Sequence, residues 1–337
     1  MRKKNGGDKE NGYLGVRGMK LIKNIENNIK AEIIKLSDRP FYSMDYHGNY
    51  HFDKYLSIGA SNIEEFSTYV SETLIYDSKK KIDRGKFGCG VFTARNIEGD
   101  VIFSRNMDCE CAIPMMIRLN EADNYKSLAL LNIAELDWDE NTYETLETDA
   151  KLTLAAPYSP SDGINEHGLA VAIMTDSKAI YPTNYSITLF DETIPRLILD
   201  RAKTVDEAIE YVKNYNLFYC VAPKHYMVAD ATGASAVIEF VDGTMEVTKK
   251  TKNYQVATNF TLYNNPNLEG FGKDRYENIK NELESCKGII SENDALELLK
   301  KNVIPGDEQW SAVYNLTKRS VRVTFSRDYH HVYRYEL

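Results

Sequence analysis

Cysteine is scarce in this chain, with five in 337 residues, at positions 89, 109, 111, 220 and 286. So odd and sparse a set makes no disulfide framework, and a reducing cytoplasm is the expected compartment. Cys109 and Cys111 are too close and too isolated for a zinc site, because no second pair and no histidine cluster accompanies them. An excess of positive charge is missing as well. A net charge of −9 without an arginine-rich block argues against nucleic acid or an anionic membrane as the main partner. No apolar run approaches transmembrane length, and the polar start Met1-Arg2-Lys3-Lys4-Asn5 has no apolar segment behind it. Neither stable membrane insertion nor a secretory signal is therefore expected. A glycine-rich phosphate loop, a Ser-His-Asp order and an internal repeat are all lacking. What is present is ordinary for a globular protein: 43% hydrophobic and 27% charged residues, enough chain for one large α/β domain or two smaller ones.

The chemistry concentrates around Cys89. Gly88 to Asn96 reads as an alternating strand, Glu98-Gly99-Asp100 as a turn, and Val101 to Asp108 as the returning strand. The antiparallel return is expected to bring Arg105 and Asp108 back in phase with the cysteine. A guanidinium beside a thiol favours the thiolate, which is the nucleophile. Taken alone, Arg105 is equally an ordinary strand-end arginine and Asp108 a turn aspartate. Asn259 ends the apolar run Tyr254 to Thr258. An amide there can donate to a developing oxyanion, or simply begin the next loop.

Around this hairpin the chain divides in character. Residues 1–18 are polar and expected to be disordered, with Met19 as a second candidate start. Residues 20–36 carry leucine and isoleucine at roughly helical intervals. Ser61-Asn62-Ile63-Glu64 reads as a capping box for a helix with Ile63, Phe66, Val70 and Leu74 on one face, ending in Lys79-Lys80-Lys81. Residues 1–88 are thus expected to be a small helical unit tethered by Asp83 to Gly88. After Cys89 strands dominate: Ser127 to Ile133, Gly168 to Met174, a meander over His225–Asp230, Ser235–Phe240 and Met245–Lys249, and then Tyr254–Thr258. Three more close the chain, Trp310–Asn315, Ser320–Phe325 and His331–Glu336. Helices are expected over Val205–Tyr215, Lys273–Ser285 and Glu292–Asn302. The order suits an α+β arrangement with helices layered on two packed sheets.

The run from Cys89 to Phe92, followed by Phe103-Ser104-Arg105-Asn106-Met107-Asp108, resembles the start of the mature chain in the choloylglycine hydrolase family. That family hydrolyses linear amide C–N bonds and includes bile salt hydrolases and penicillin V acylases. A second block, Asp162-Gly163-Ile164-Asn165-Glu166-His167-Gly168-Leu169, resembles the family's Asp-Gly-Met-Asn-Glu-x-Gly-Leu segment. The resemblance extends over roughly residues 89–337. It implies an N-terminal nucleophile (Ntn) hydrolase with an αββα sandwich: two packed, mainly antiparallel sheets with helices on both outer faces, preceded by a prosegment. Residues 1–88 would be removed or nicked by autoproteolysis between Gly88 and Cys89, leaving residues 89–337 as the catalytic domain.

The same resemblance implies roles. Cys89 is the nucleophile, Arg105 lies against its sulfur, and Asp108 holds its α-amine. Asn259, in Thr258-Asn259, is the side-chain oxyanion donor. Arg275, otherwise a helix arginine facing Glu277, braces the nucleophile. The backbone N–H at Thr175 is the second oxyanion donor; bile salt hydrolases carry asparagine there and typical penicillin V acylases tyrosine, so threonine transfers neither substrate. Asn259 and Arg275 are 16 residues apart (275 − 259). That interval is much shorter than in the tetrameric members, and with the long prosegment it resembles the self-cleaving relatives: acid ceramidase, N-acylethanolamine amidase and acyl-coenzyme A:isopenicillin N acyltransferase.

Self-cleavage has a chemical reason. The freed α-amine of Cys89, with an ordinary pKa of roughly 7.7–8.0, becomes the proton shuttle that the uncut chain lacks. The expected activity is hydrolysis of a linear amide whose acyl group is apolar, as in a bile acid conjugate, a fatty-acid amide or a penicillin V-like compound. An acyltransferase of the same fold and an unprocessed, non-catalytic binding protein are the alternatives. The partner is a small N-acyl amide, with a homo-oligomer possible and the prosegment able to stay associated. No metal or organic cofactor is called for. Cys109 and Cys111 read as small buried groups, His225 as a structural histidine, and His167, His330 and His331 as surface residues.

Overall fold

The computed structural model describes residues 17–24, 29–36, 41–75, 87–109, 112–121, 123–136, 150–305 and 308–337. The Cys89 hairpin forms as its alternation requires: β4 (Phe87–Arg95) pairs antiparallel with β5 (Val101–Cys109) without a register break, and Gly99 turns with φ 88°. These strands sit in a six-stranded sheet with β15 (Gln255–Ala257), β16 (Glu308–Asn315), β17 (Ser320–Phe325) and β18 (Tyr333–Glu336), in the order β15-β4-β5-β16-β17-β18. The hairpin strands are central and buried on both faces.

A ten-stranded sheet packs against it. From the N-terminal end it runs β1 (Arg17–Asn24), β2 (Ile29–Lys35), β3 (Tyr42–His47), β6 (Pro114–Leu119), β7 (Ser127–Asn132), β8 (Asp162–Asn165), β9 (Ala170–Thr175), β12 (Lys224–Ala229), β13 (Ser235–Val241) and β14 (Thr244–Lys249). All its pairings are antiparallel except β3 with β6. A short parallel pair, β10 (Thr188–Phe190) with β11 (Asn216–Phe218), stands apart.

Alternation along each strand splits its side chains between two layers. Cys89, Val91, Phe103 and Met107 face the ten-stranded sheet, where Met116, Leu128, Leu130, Ala172, Met174 and Met227 meet them. Phe92, Ala94 and Ile102 face outward onto α5 (Lys273–Ser285) and α6 (Glu292–Lys300), through Ile279, Leu283, Leu296 and Leu299. The far side of the larger sheet is covered by α1 (Phe52–Ile58), α2 (Ile63–Val70), α3 (Ile194–Arg201) and α4 (Val205–Val212). The result is the expected α+β, four-layer αββα sandwich.

The N-terminal segment departs from its expected form. The described residues of 20–36 are strands, not a helix: β1 and β2 pair antiparallel there. Ile29, Ala31 and Ile33 alternate inward; β1 and β3 satisfy the backbone of β2 on its two sides, and β3 in turn pairs with the edge of β6. The helix over Ile63–Val70 forms, but its cap is shifted by one residue. Asn62 Oδ1 accepts from Glu65 N at 3.0 Å and Glu65 Oε2 accepts from Ser61 N at 2.8 Å. Lys79–Lys81 and the tether residues 83–86 lie outside the described residues. Tyr42, Tyr46, Tyr50, Phe52, Tyr55 and Phe66 from this segment are buried in the layer that α3 also fills. Burying one such side chain contributes about 1.5–3 kcal/mol.

Gly168 ties the two sheets together at the β8–β9 turn. It has φ 77°, and a Cβ there would overlap the carbonyl oxygen of Leu316, beyond β16. Gly168→Ala is expected to cost about 1–3 kcal/mol of stability, measured by urea unfolding.

Candidate active site

Cys89 is buried in the layer between the sheets, 1% exposed, and three groups hold it. The Arg105 guanidinium approaches the sulfur, with Nη2 at 3.6 Å from Sγ. The Cys89 backbone N–H donates to Asn259 Oδ1 at 2.6 Å. Arg275 Nη1 donates to the Cys89 carbonyl, while its Nη2 donates to Asn259 Oδ1 at 3.1 Å. Sulfur, amide nitrogen and carbonyl of one residue are thus each fixed separately.

The topology explains each partner. β15 pairs antiparallel with β4, Ala257 opposite Val91, so two residues further on Asn259 arrives opposite Cys89. α5 is preceded by its cap Gly272, whose φ of 85° and lack of a side chain let the Arg275 guanidinium pass; a Cβ there would press on Arg275 Nη2 and Thr258 Cβ. Gly88 is similarly confined, because a Cβ would overlap Ile304 Cδ1.

Arg105 is itself buried and must be paired. Its Nε lies 3.1 Å from Asp162 Oδ2, with both side chains fully buried, and Nη1 donates to the Ser161 carbonyl at 2.6 Å. Asp162 also accepts from Trp310 Nε1 at 3.0 Å and from the Tyr314 hydroxyl. Arg105 stands over the Trp310 ring at 5.8 Å. Asp162 was legible only as the first residue of the second sequence block; its role needs β16, 148 residues away, to be in place.

Arg105 and Asp108 are not in phase. Three positions apart on an unbroken strand, they alternate to opposite faces. Arg105 shares the inter-sheet face with Cys89 and Met107, whereas Asp108 stands opposite Gly88 in the register and is fully buried on the other face. From there its charge raises the thiol's pKa.

Thr175 ends β9 beside the site. Asn259 Nδ2 donates to its hydroxyl at 2.8 Å and to its carbonyl at 3.2 Å. The amide hydrogens expected to meet an oxyanion are engaged by Thr175 in this structure. A cavity of about 10 Å³, about enough for one water, adjoins the sulfur and is lined by Cys89, Met107, Ile173, Met174, Thr175, Glu192 and Lys224. The last two carried no signal in the sequence.

The two nearby guanidiniums do not make Cys89 a ready thiolate. Burial pushes its pKa up and outweighs the lowering by Arg105, Arg275 and the Asn259 hydrogen bond. Alkylation of Cys89 by iodoacetamide is expected to need a pH above the ordinary thiol range, since burial keeps its neutral thiol further into the alkaline range. Peptide mapping of the labelled sites against pH checks this.

The remaining candidates are structural. His225 is fully buried, with Nε2 at 2.8 Å from the Thr258 carbonyl, and so steadies the strand end that carries Asn259. Cys109 is buried between the sheets, and Cys111 lies outside the described residues. His167 packs on Tyr125, and exposed His331 pairs with Asp328. Among the described residues no cluster of histidine, cysteine and acidic side chains could hold a metal, and no helix is long and apolar enough to cross a membrane.

The fold and part of the sequence have known counterparts. A penicillin V acylase from Pectobacterium atrosepticum is 32% identical over 114 residues; the match spans 30% of each chain, so most of that relative's length is not covered. Among solved structures, a variant of the conjugated bile acid hydrolase from Clostridium perfringens matches with a TM-score of 0.54 and 16% identity, over 74% of this chain and 92% of that one. Penicillin V acylase from Agrobacterium tumefaciens matches with a TM-score of 0.54 and 17% identity, over 74% and 86%. The family model for linear amide C–N hydrolases, choloylglycine hydrolase family, matches residues 89–327, beginning at the buried cysteine itself. The chain belongs to the choloylglycine hydrolase family of linear amide C–N hydrolases.

Proposed function

We propose that this chain cuts itself between Gly88 and Cys89 and then hydrolyses a linear N-acyl amide with Cys89 as nucleophile. The observation that carries the reading is the separate fixing of the Cys89 sulfur, nitrogen and carbonyl by Arg105, Asn259 and Arg275. A merely structural cysteine needs none of these contacts.

In the first step the Cys89 sulfur attacks the Gly88 carbonyl. The peptide C–N bond breaks, the nitrogen takes a proton and a thioester forms. Water then hydrolyses the thioester, giving a carboxylate at residue 88, a free thiol and a free α-amine on Cys89. Gly88 leaves no side chain in the path of attack. The amine inherits the place of the Cys89 amide beside Asn259, and Asp108 and the carbonyl contact to Arg275 hold it there.

In turnover the amine takes the thiol proton, and the thiolate attacks the substrate carbonyl. Asn259 Nδ2, released from the Thr175 hydroxyl, and the Thr175 backbone N–H receive the oxyanion. Removing one such donor typically costs about 10²–10³ in rate. The amine passes its proton to the leaving nitrogen, the C–N bond breaks, and water cleaves the acyl thioester. Arg105 stabilises the thiolate, with Asp162 holding the guanidinium in place.

We also propose that residues 1–88 stay bound after the cut. β1–β3 continue the larger sheet, and six buried aromatic side chains anchor the segment to the common core. The hydrocarbon stem of the acyl group would meet Met107, Ile173 and Met174 in the cavity that Cys89 lines. The test is release of free amine from a panel of N-acyl amides by the purified, cut protein. Activity that disappears in step with alkylation of Cys89 supports the reading; activity indifferent to alkylation overturns it.

A further inference from the structure

We infer that Lys224 and Glu192 select the acyl group of the substrate, and that the favoured acyl group has an aliphatic stem ending in an amino group and a carboxylate together, as in an amino acid. The inference rests on the amide hydrolase reading above.

The two side chains line the same cavity as the nucleophilic sulfur. Lys224 opens β12 opposite Thr175, and Glu192 lies in the turn Asp191–Thr193 that leads into α3. Lys224 Nζ is 3.6 Å from Glu192 Oε1 and donates to the Ala222 carbonyl at 2.6 Å. The side chains are only 3% and 4% exposed. The backbone of Lys224 is pinned by the Tyr181 hydroxyl, which accepts from its N–H and also donates to Asp191 Oδ2 at 2.7 Å. An ion pair is thus fixed in the interior, in the wall of the cavity that Cys89 also lines.

The acyl group of an acyl-enzyme is a substituent on the sulfur, so the space at Sγ is acyl space. Met107, Ile173 and Met174 wall it with hydrocarbon, and the unbranched methionines can repack around a larger occupant. The pair forms another part of the same wall. A wholly hydrocarbon acyl chain would offer two buried charges nothing in exchange for water. An acyl chain with a single charge meets one attractive and one like charge within a few ångströms. A chain end carrying both charges can lie against the pair with each end matched, which gives selectivity through repulsion of the alternatives as well as attraction.

The experiment uses four p-nitroanilides of equal chain length, differing at the chain end: γ-glutamyl (amino and carboxylate), glutaryl (carboxylate), 5-aminopentanoyl (amino) and pentanoyl (neither). Release of p-nitroaniline by the cut wild-type protein is followed beside the double variant Lys224→Met, Glu192→Gln. Removing both charges together leaves no uncompensated buried ion, and a thermal melt confirms that the variant folds. The expected result is a kcat/KM for the γ-glutamyl compound at least ~10-fold above each of the others, since a site built to bind a polar group rejects analogues lacking it. In the double variant that ranking should collapse, with pentanoyl the best member. The wild-type ranking is decisive even if the double variant fails to fold. Pentanoyl as the best wild-type substrate overturns the inference and leaves the hydrolase reading intact. So does cleavage of a longer N-acyl amide with none of the four accepted. Failure to cleave any amide overturns both.

Discussion

Cys89→Ala is expected to lower amide turnover by on the order of 10⁴-fold or more, the scale of losing a catalytic nucleophile, while the protein keeps its fold. The sulfur makes no contact on which the architecture depends: it touches Arg105 and Met107 and is one small member of the inter-sheet layer. Losing one buried sulfur costs stability modestly, by about 1 kcal/mol, so a melting curve should move by a few degrees at most. The same substitution removes the attacking group of the self-cleavage step, and the variant should therefore accumulate uncut. Turnover of an N-acyl amide and a thermal melt of the same sample check both parts. Retained turnover in the folded variant would remove Cys89 from the mechanism.

Asp162→Leu is expected to be the most damaging change to stability near the site, by about 3–5 kcal/mol. It leaves the Arg105 guanidinium fully buried without its carboxylate, and strips an acceptor from Trp310 and Tyr314. Urea unfolding should show the loss. The double variant Arg105→Met, Asp162→Leu removes the pair as a unit and should recover most of the stability. It should not recover turnover, because the group beside Sγ is gone. Recovery of both would mean that the pair serves the fold alone.

The strength of the sequence signal followed how local each feature is. The β4–β5 hairpin was legible because alternation and a Glu98-Gly99-Asp100 turn suffice to specify it. α5 and β17 form over the expected residues, and α4 is capped by Thr204, which accepts from Glu207 N. The N-terminal hairpin was misread because Ile22, Ile29 and Ile33 are spaced as on a helix face. Their inward alternation with Ala31 becomes decisive only when β3 and β6 supply partners. A strand next to a sheet edge is chosen by that edge, which no local window contains.

The site shows the same division. Cys89 and Arg105 share a hairpin, Asn259 follows β15, and Arg275 lies in the first turn of α5, both readable elements. The phase of Asp108 was misjudged although the rule of two settles it, because a match to a motif says nothing about which face a residue occupies. Asp162, Glu192 and Lys224 were not picked out because they reach the surroundings of Cys89 only through the packing of β8, β12 and the turn before α3 against the smaller sheet. The balance of charge on the sulfur was also invisible. Neighbouring arginines favour the thiolate, but complete burial outweighs them, and burial is a property of the fold.

The most direct test of the central claim is the intact mass of the freshly purified protein beside its Cys89→Ala variant. Self-cleavage requires two species in the wild type, with the larger beginning at Cys89, and one full-length chain in the variant. A wild type that hydrolyses amides as a single uncut chain, or a variant cut at the same bond, would contradict it.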